Sequence, residues 1–137
     1  MLFECENQSP IHDVSEKAVV DALKRLRSYG PSSFASLTRD DGSYVQVAGG
    51  KVTCMLEKRD MASGKHYRAH QDSPSTPFPD GTILSFSGGD ISIKNDEWFN
   101  IDQVVEVFTA FLRNQDMPKF VKWRDVTSSR VPSSPLF

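Results

Sequence analysis

The chain is poor in the residues that carry out chemistry. Its 137 residues include two cysteines and three histidines. Cys5 and Cys54 lie far apart and lack CxxC spacing, so no thiolate metal site or redox motif is spelled out. Two reduced thiols in a cytosolic protein are expected. Charge of one sign is never concentrated: 16 basic and 18 acidic residues are interspersed, for a net charge of -2. That argues against the basic patch of a nucleic-acid binder. No apolar run approaches the roughly 20 residues that span a bilayer. The segment Met1 to Glu6 has neither a basic stretch nor a long apolar one, and does not read as a secretory signal. No G-x-S-x-G elbow, G-x-G-x-x-G loop or Walker pattern occurs. Gly49-Gly50 and Gly88-Gly89 read as tight turns. These absences predict a soluble, cytoplasmic protein that needs no cofactor or metal, contacts neither nucleic acid nor membrane, and works by binding.

What is present is an ordinary globular composition, 38% hydrophobic and 25% charged. One α+β domain over residues 1–127 is expected, followed by a Ser/Pro-rich tail over 128–137. Leu2 to Glu6 reads as a short strand. Asp13, with Glu16 three positions later, predicts the start of a first helix. Ala18, Val19, Ala22, Leu23 and Leu26 continue it at helical spacing, and Gly30-Pro31 stops it. Strands follow at 33–39 and 43–48 about an Asp40-Asp41-Gly42 turn, then at 51–58 and 65–70 across a polar loop from Arg59 to Gly64. Residues 71–80 read as an exposed loop. A hairpin, 82–87 with 91–94, leads to the second helix. Asn100 and Gln103 form its capping box, and Phe99 with Val104 its hydrophobic staple. Val104, Val107, Phe108, Phe111 and Leu112 make its apolar stripe. A last strand spans 120–126. The tight turns predict one antiparallel, twisted sheet with both helices on one face, in the order (β)αβββββ(β)αβ.

The densest polar cluster is His66-Tyr67-Arg68-Ala69-His70. On a strand His66, Arg68 and His70 share one face. Histidines four apart on a strand lie roughly 13 Å apart, too far to hold one metal together. A solvated polar face is the expectation, with a cross-strand salt bridge from Glu57 to Arg68. Glu57 beside these histidines also leaves open a small enzyme or a ligand-binding domain using the His66/Arg68/His70 face. Asp96-Glu97-Trp98-Phe99, before the second helix, sets two acids beside aromatics. Asp96 and Glu97 are expected to be exposed. Trp98 either anchors a contact or covers the end of the core. Trp123 is expected in the core, facing away from Lys122 and Arg124.

Tyr44-Val45-Gln46-Val47-Ala48-Gly49-Gly50 leads into Val52 to Glu57 and then Gly64-Lys65-His66-Tyr67-Arg68. Asp96-Glu97-Trp98-Phe99 and the helix from Asp102 to Arg113 then run into Val121-Lys122-Trp123-Arg124-Asp125. Over residues 34–126 this pattern resembles a family of small bacterial immunity proteins that protect cells from polymorphic toxins and often accompany deaminase-type toxins. The resemblance implies a cytoplasmic partner of a cognate secreted toxin domain, blocking its active site or substrate surface. Glu57, Arg68, Asp96, Glu97 and Trp98 are the candidate toxin-contact residues.

Overall fold

The computed structural model describes residues 1–74 and 77–129. It contains strands β1 (Leu2–Cys5), β2 (Phe34–Thr38), β3 (Tyr44–Gly50), β4 (Thr53–Asp60), β5 (Lys65–His70), β6 (Thr82–Phe86), β7 (Gly89–Ile93) and β8 (Lys122–Asp125). Helix α1 (Glu16–Lys24) lies between β1 and β2, and α2 (Ile101–Leu112) between β7 and β8. The main sheet has six strands in the order β1-β2-β3-β4-β5-β8, all paired antiparallel. The chain is thus α+β, with both helices on one sheet face.

The expected single sheet is refined in one respect: β6 and β7 pair only with each other, as a separate two-stranded sheet. Leu84, Phe86 and Ile93 of this hairpin pack with Ala48, Met55 and Trp98 on the face that the helices leave open. The hairpin therefore covers part of that face instead of extending the sheet.

Strand alternation sorts side chains between the two faces. Towards the helices, Cys5, Ala35, Val47 and Leu56 stand opposite one another across β1 to β4. They join Val19, Leu23 and Leu26 from the first helix region and Val104, Val107, Phe108 and Phe111 from α2 in one apolar core. Full burial of each large side chain contributes about 1.5–3 kcal/mol. Trp123 packs partly buried against this core, with the Lys58 ammonium 4.5 Å from its ring centroid.

The α2 capping box is present as expected: Asn100 Oδ1 accepts from the Gln103 N–H at 2.9 Å, and Gln103 Oε1 accepts from the Asn100 N–H at 3.0 Å. The start of α1 differs. Ser15 is the cap, its hydroxyl accepting from the Ala18 N–H at 3.1 Å, while Asp13 lies two residues upstream at φ 50°. Glu16 instead makes a two-pronged ion pair with Arg113 at 2.7 and 2.8 Å, tying the start of α1 to the end of α2. Helix α1 ends at Lys24, and Leu26 is buried beyond it.

Gly49-Gly50 is the end of β3, and the turn falls at Lys51-Val52, with Val52 exposed. Glycine is required here for close approach. A Cβ on Gly50 would lie 2.2 Å from the Leu26 carbonyl oxygen, and one on Gly49 2.1 Å from that of Thr53. Likewise β4 continues to Asp60, so Arg59 belongs to a strand and not to the expected polar loop. The last strand is shorter than expected and is followed by a 3-10 turn, Thr127–Ser129. Its anchor is the His66 N–H, which donates to Thr127 Oγ1 at 2.9 Å. The rest of the expected tail, 130–137, and residues 75–76 of the expected loop lie outside the described residues.

Candidate functional site

On the helix-free face one polar rank crosses the whole sheet. Glu4 stands opposite Ser36, Ser36 opposite Gln46, Gln46 opposite Glu57, Glu57 opposite Arg68, and Arg68 opposite Arg124. Between β3 and β8 this rank becomes an ion-pair cluster. The cross-strand pair expected from the sequence is present: Arg68 Nε donates to Glu57 Oε2 at 2.6 Å. Glu57 Oε1 accepts from Gln46 Nε2 and from His66 Nε2, each at 3.0 Å. A carboxylate can only accept, so the contact assigns the imidazole proton to Nε2. His66 Nδ1 is buried without a hydrogen-bond partner among the described residues.

The second half of the cluster comes from the segment before α2. Cys54 and Phe99 exchange backbone hydrogen bonds at 2.9 Å, and the Gln71 N–H donates to the Asp96 carbonyl at 2.7 Å. These bonds lay Asp96 to Phe99 alongside the sheet. Glu97 Oε1 there accepts from the Lys94 N–H at 2.8 Å and from Arg68 Nη1 at 3.4 Å. Arg124 spans both acids, donating from Nη1 to Glu97 Oε2 at 2.6 Å and from Nη2 to Asp96 Oδ2 at 3.0 Å. Burial alone would lower the Arg124 pKa, but the Asp96 and Glu97 carboxylates outweigh it and raise it. His70 Nδ1 stands 3.8 Å from Asp96 Oδ2.

All five sequence candidates thus converge on one region. Glu57, Arg68, Asp96 and Glu97 are linked by charge, and Trp98 packs beside them under the hairpin. Their surroundings differ from expectation. Glu57 is 0% exposed, His66 2% and Glu97 3%, so neither the solvated His66/Arg68/His70 face nor an exposed Glu97 is found. Both corrections have one cause. The hairpin and the Asp96–Phe99 segment, held by Arg124 from β8, lie over this part of the face, and a charge taken from water must find a partner there. Trp98 is 2% exposed, beneath Phe78 at a ring-centroid distance of 5.1 Å, and so covers the core.

Among the described residues the cluster is most open to solvent along its rim, where the His70, Asp96 and Arg124 side chains are 24, 23 and 30% exposed, against 13% for Arg68. Arg124 and Gln46 were not among the sequence candidates, whereas His66 and His70 were named there as part of the alternative His66/Arg68/His70 face. The expected alternation about Trp123 was the available signal for Arg124. The rim adjoins β8, whose outer edge has no strand partner among the described residues.

The rest of the helix-free face, over β1 to β4, is an open cleft of about 570 Å³. Arg59, Tyr44 and Ser36 line it, with Met61, Phe34 and Pro10 as apolar walls. Among the described residues no group of three or more His, Cys, Asp or Glu is arranged to hold a metal ion. Cys5 and Cys54 are free and buried; burial pushes the Cys54 thiol up to about 12 and also raises Cys5. No described helix is long and apolar enough to cross a membrane. No family model matches the chain, and no curated protein matches its sequence.

Proposed function

We propose that the protein is a bacterial immunity protein, which binds a cognate secreted toxin domain in the cytoplasm and blocks its active site or substrate surface. One observation carries this reading. The segments that resemble immunity proteins, distant in sequence, converge on a single ion-pair cluster whose solvent-facing rim, His70, Asp96 and Arg124, adjoins the edge strand β8. Buried members Glu57 and Glu97 hold β4, β5, β8 and the Asp96–Phe99 segment together. The rim is the part within reach of a partner. Its mixed charge suits steering and register more than bulk affinity. A nucleic-acid-targeting deaminase is the favoured toxin class, on the resemblance alone.

The test is co-purification with the product of the adjacent upstream gene, as an inactive mutant if it proves toxic. A one-to-one complex, with rescue of cells from the active toxin, is expected. Asp96→Lys should weaken that complex by about 2 kcal/mol or more if Asp96 is a hot spot. No complex and no protection would overturn the reading. A complex indifferent to Asp96→Lys and to Arg124→Glu, both folded, would move the contact away from the rim.

A further inference from the structure

We infer that the cleft over β1 to β4 is a binding site for a small carboxylate-bearing ligand with an apolar body, its acid group seated on Arg59. The cleft lies apart from the rim of the ion-pair cluster, and the inference does not depend on toxin binding.

The first observation is the state of Arg59. It projects from β4 on the same face as Glu57, opposite Tyr44 on β3 and His66 on β5. Among the described residues it has no ion-pair partner, and its Nε is buried without a hydrogen bond. Buried donors are almost always satisfied, so an orphan beside a cavity is a place where a ligand acceptor gains a ready partner. Nearby Arg68 and Arg124 both hold carboxylates. Arg59 lines a cleft of about 570 Å³ instead, within the range that takes small organic ligands.

The rest of the lining narrows the chemistry. A guanidinium fork matches a carboxylate through two parallel hydrogen bonds. Ser36, Thr38 and Tyr44 add hydroxyls on the cleft floor. Among the described residues lining the cleft Arg59 is the one cation, and exposed Glu4 lines the far side, three strand spacings and so more than about 14 Å away. One arginine facing a distant carboxylate suits a monoanion and disfavours a dianion such as phosphate. Met61, Phe34 and Pro10 supply apolar wall for the ligand body. Met61 is 44% exposed, yet its backbone is held, since its N–H donates to Ser43 Oγ at 3.0 Å. The rim is therefore in place before a ligand arrives.

The experiment titrates the full chain with 4-phenylbutyrate, with its neutral amide 4-phenylbutanamide and with inorganic phosphate. The Met61 methyl and Arg59 Nε–H resonances are followed by NMR. The acid should shift both resonances saturably, at least tenfold more tightly than the amide, and phosphate should shift neither. Arg59→Gln should reduce the acid to the affinity of the amide while the thermal midpoint stays within a few degrees. Ser36→Leu, which fills the floor, should abolish binding of both. If Arg59→Gln does not fold, Arg59→Lys serves: it keeps the charge, loses the fork, and should weaken the acid several-fold. Equal binding of acid and amide, absence of saturable shifts with either, or acid affinity unchanged in the folded Arg59 variant would each overturn the inference.

Discussion

Leu56 and Glu57 are neighbours on β4, and both are 0% exposed, yet they are buried by different means. Leu56 points into the dry core between sheet and helices. Glu57 points to the other face, where its carboxylate accepts from the polar groups of Gln46, His66 and Arg68. The first face is held by area removed from water, which is non-directional and roughly additive. The second is held by mutual satisfaction, in which removing one member leaves the others with buried charge. One sheet thus has an apolar side that fixes the fold and an ionic side that fixes which segments meet.

The sharpest way to break that comparison is mutation at these two positions. Glu57→Ala should cost about 3–5 kcal/mol, because Arg68 loses its counter-charge and the buried His66 and Gln46 side chains lose their acceptor. Leu56→Ala should cost about 2–5 kcal/mol through lost transfer energy and a residual cavity. Both are read as denaturant midpoints. The two losses should then respond oppositely to a second change. In a Glu57→Leu background, Arg68→Met should recover part of the stability, since an apolar pair of similar volume can replace a buried ion pair. Arg68→Met should recover nothing in Leu56→Ala. Additivity in both double mutants would mean that the ionic face is not cooperative.

The rim should respond less. Arg124→Ala removes a guanidinium that bridges Asp96 and Glu97 while nearly a third exposed. Solvent can rehydrate much of what is lost there, so about 1 kcal/mol is expected. A loss of 3 kcal/mol or more by chemical denaturation would place Arg124 energetically with Glu57 and not with the surface. Arg124→Ala would then be unsuitable for separating toxin binding from folding.

How much of this was legible beforehand follows the same division. The Glu57–Arg68 pair could be read because a hairpin with alternating faces fixes its own register. The α2 cap and stripe could be read because both are local. Burial of Glu97 could not, since it depends on β8 lying beside β5 and bringing Arg124 within 2.6 Å. That is strand order, which no local pattern encodes. The β6–β7 hairpin was visible as a hairpin, but its alternation is the same whether it extends the sheet or covers it. Gly49-Gly50 looked like a turn because the close approach of Leu26, which accounts for Gly50, is a long-range contact. Arg59 was assigned to a loop by ending β4 too soon. Carrying the 55, 57, 59 alternation one step further would have set it on the face of Glu57.

The smallest expected effect concerns the hairpin that covers the ionic side. Glu6 ties it down: its carboxylate accepts from the Ser33 N–H at 2.7 Å, from Ser33 Oγ at 2.9 Å, and from Ser87 Oγ at the end of β6. Partial burial alone would raise the Glu6 pKa, but the hydrogen bonds from Ser87 and Ser33 outweigh it and hold the carboxyl below its ordinary 4.5. A carboxyl whose folded pKa is depressed adds stability that is fully present above the unfolded value. That stability is lost as pH falls through the depressed folded value. Glu6→Gln should therefore lower the thermal midpoint slightly at pH 7, and the gap to the wild type should narrow as pH falls below 4.5 and close once it passes the depressed folded value. Since the bond is to the hairpin, amide exchange in β6 and β7 should accelerate in Glu6→Gln, while exchange at Val45 and Val47 in the central strand stays unchanged. Equal acceleration in β3 would mean that the hairpin is a cooperative part of the sheet core, and the two faces would then differ in chemistry but not in stability.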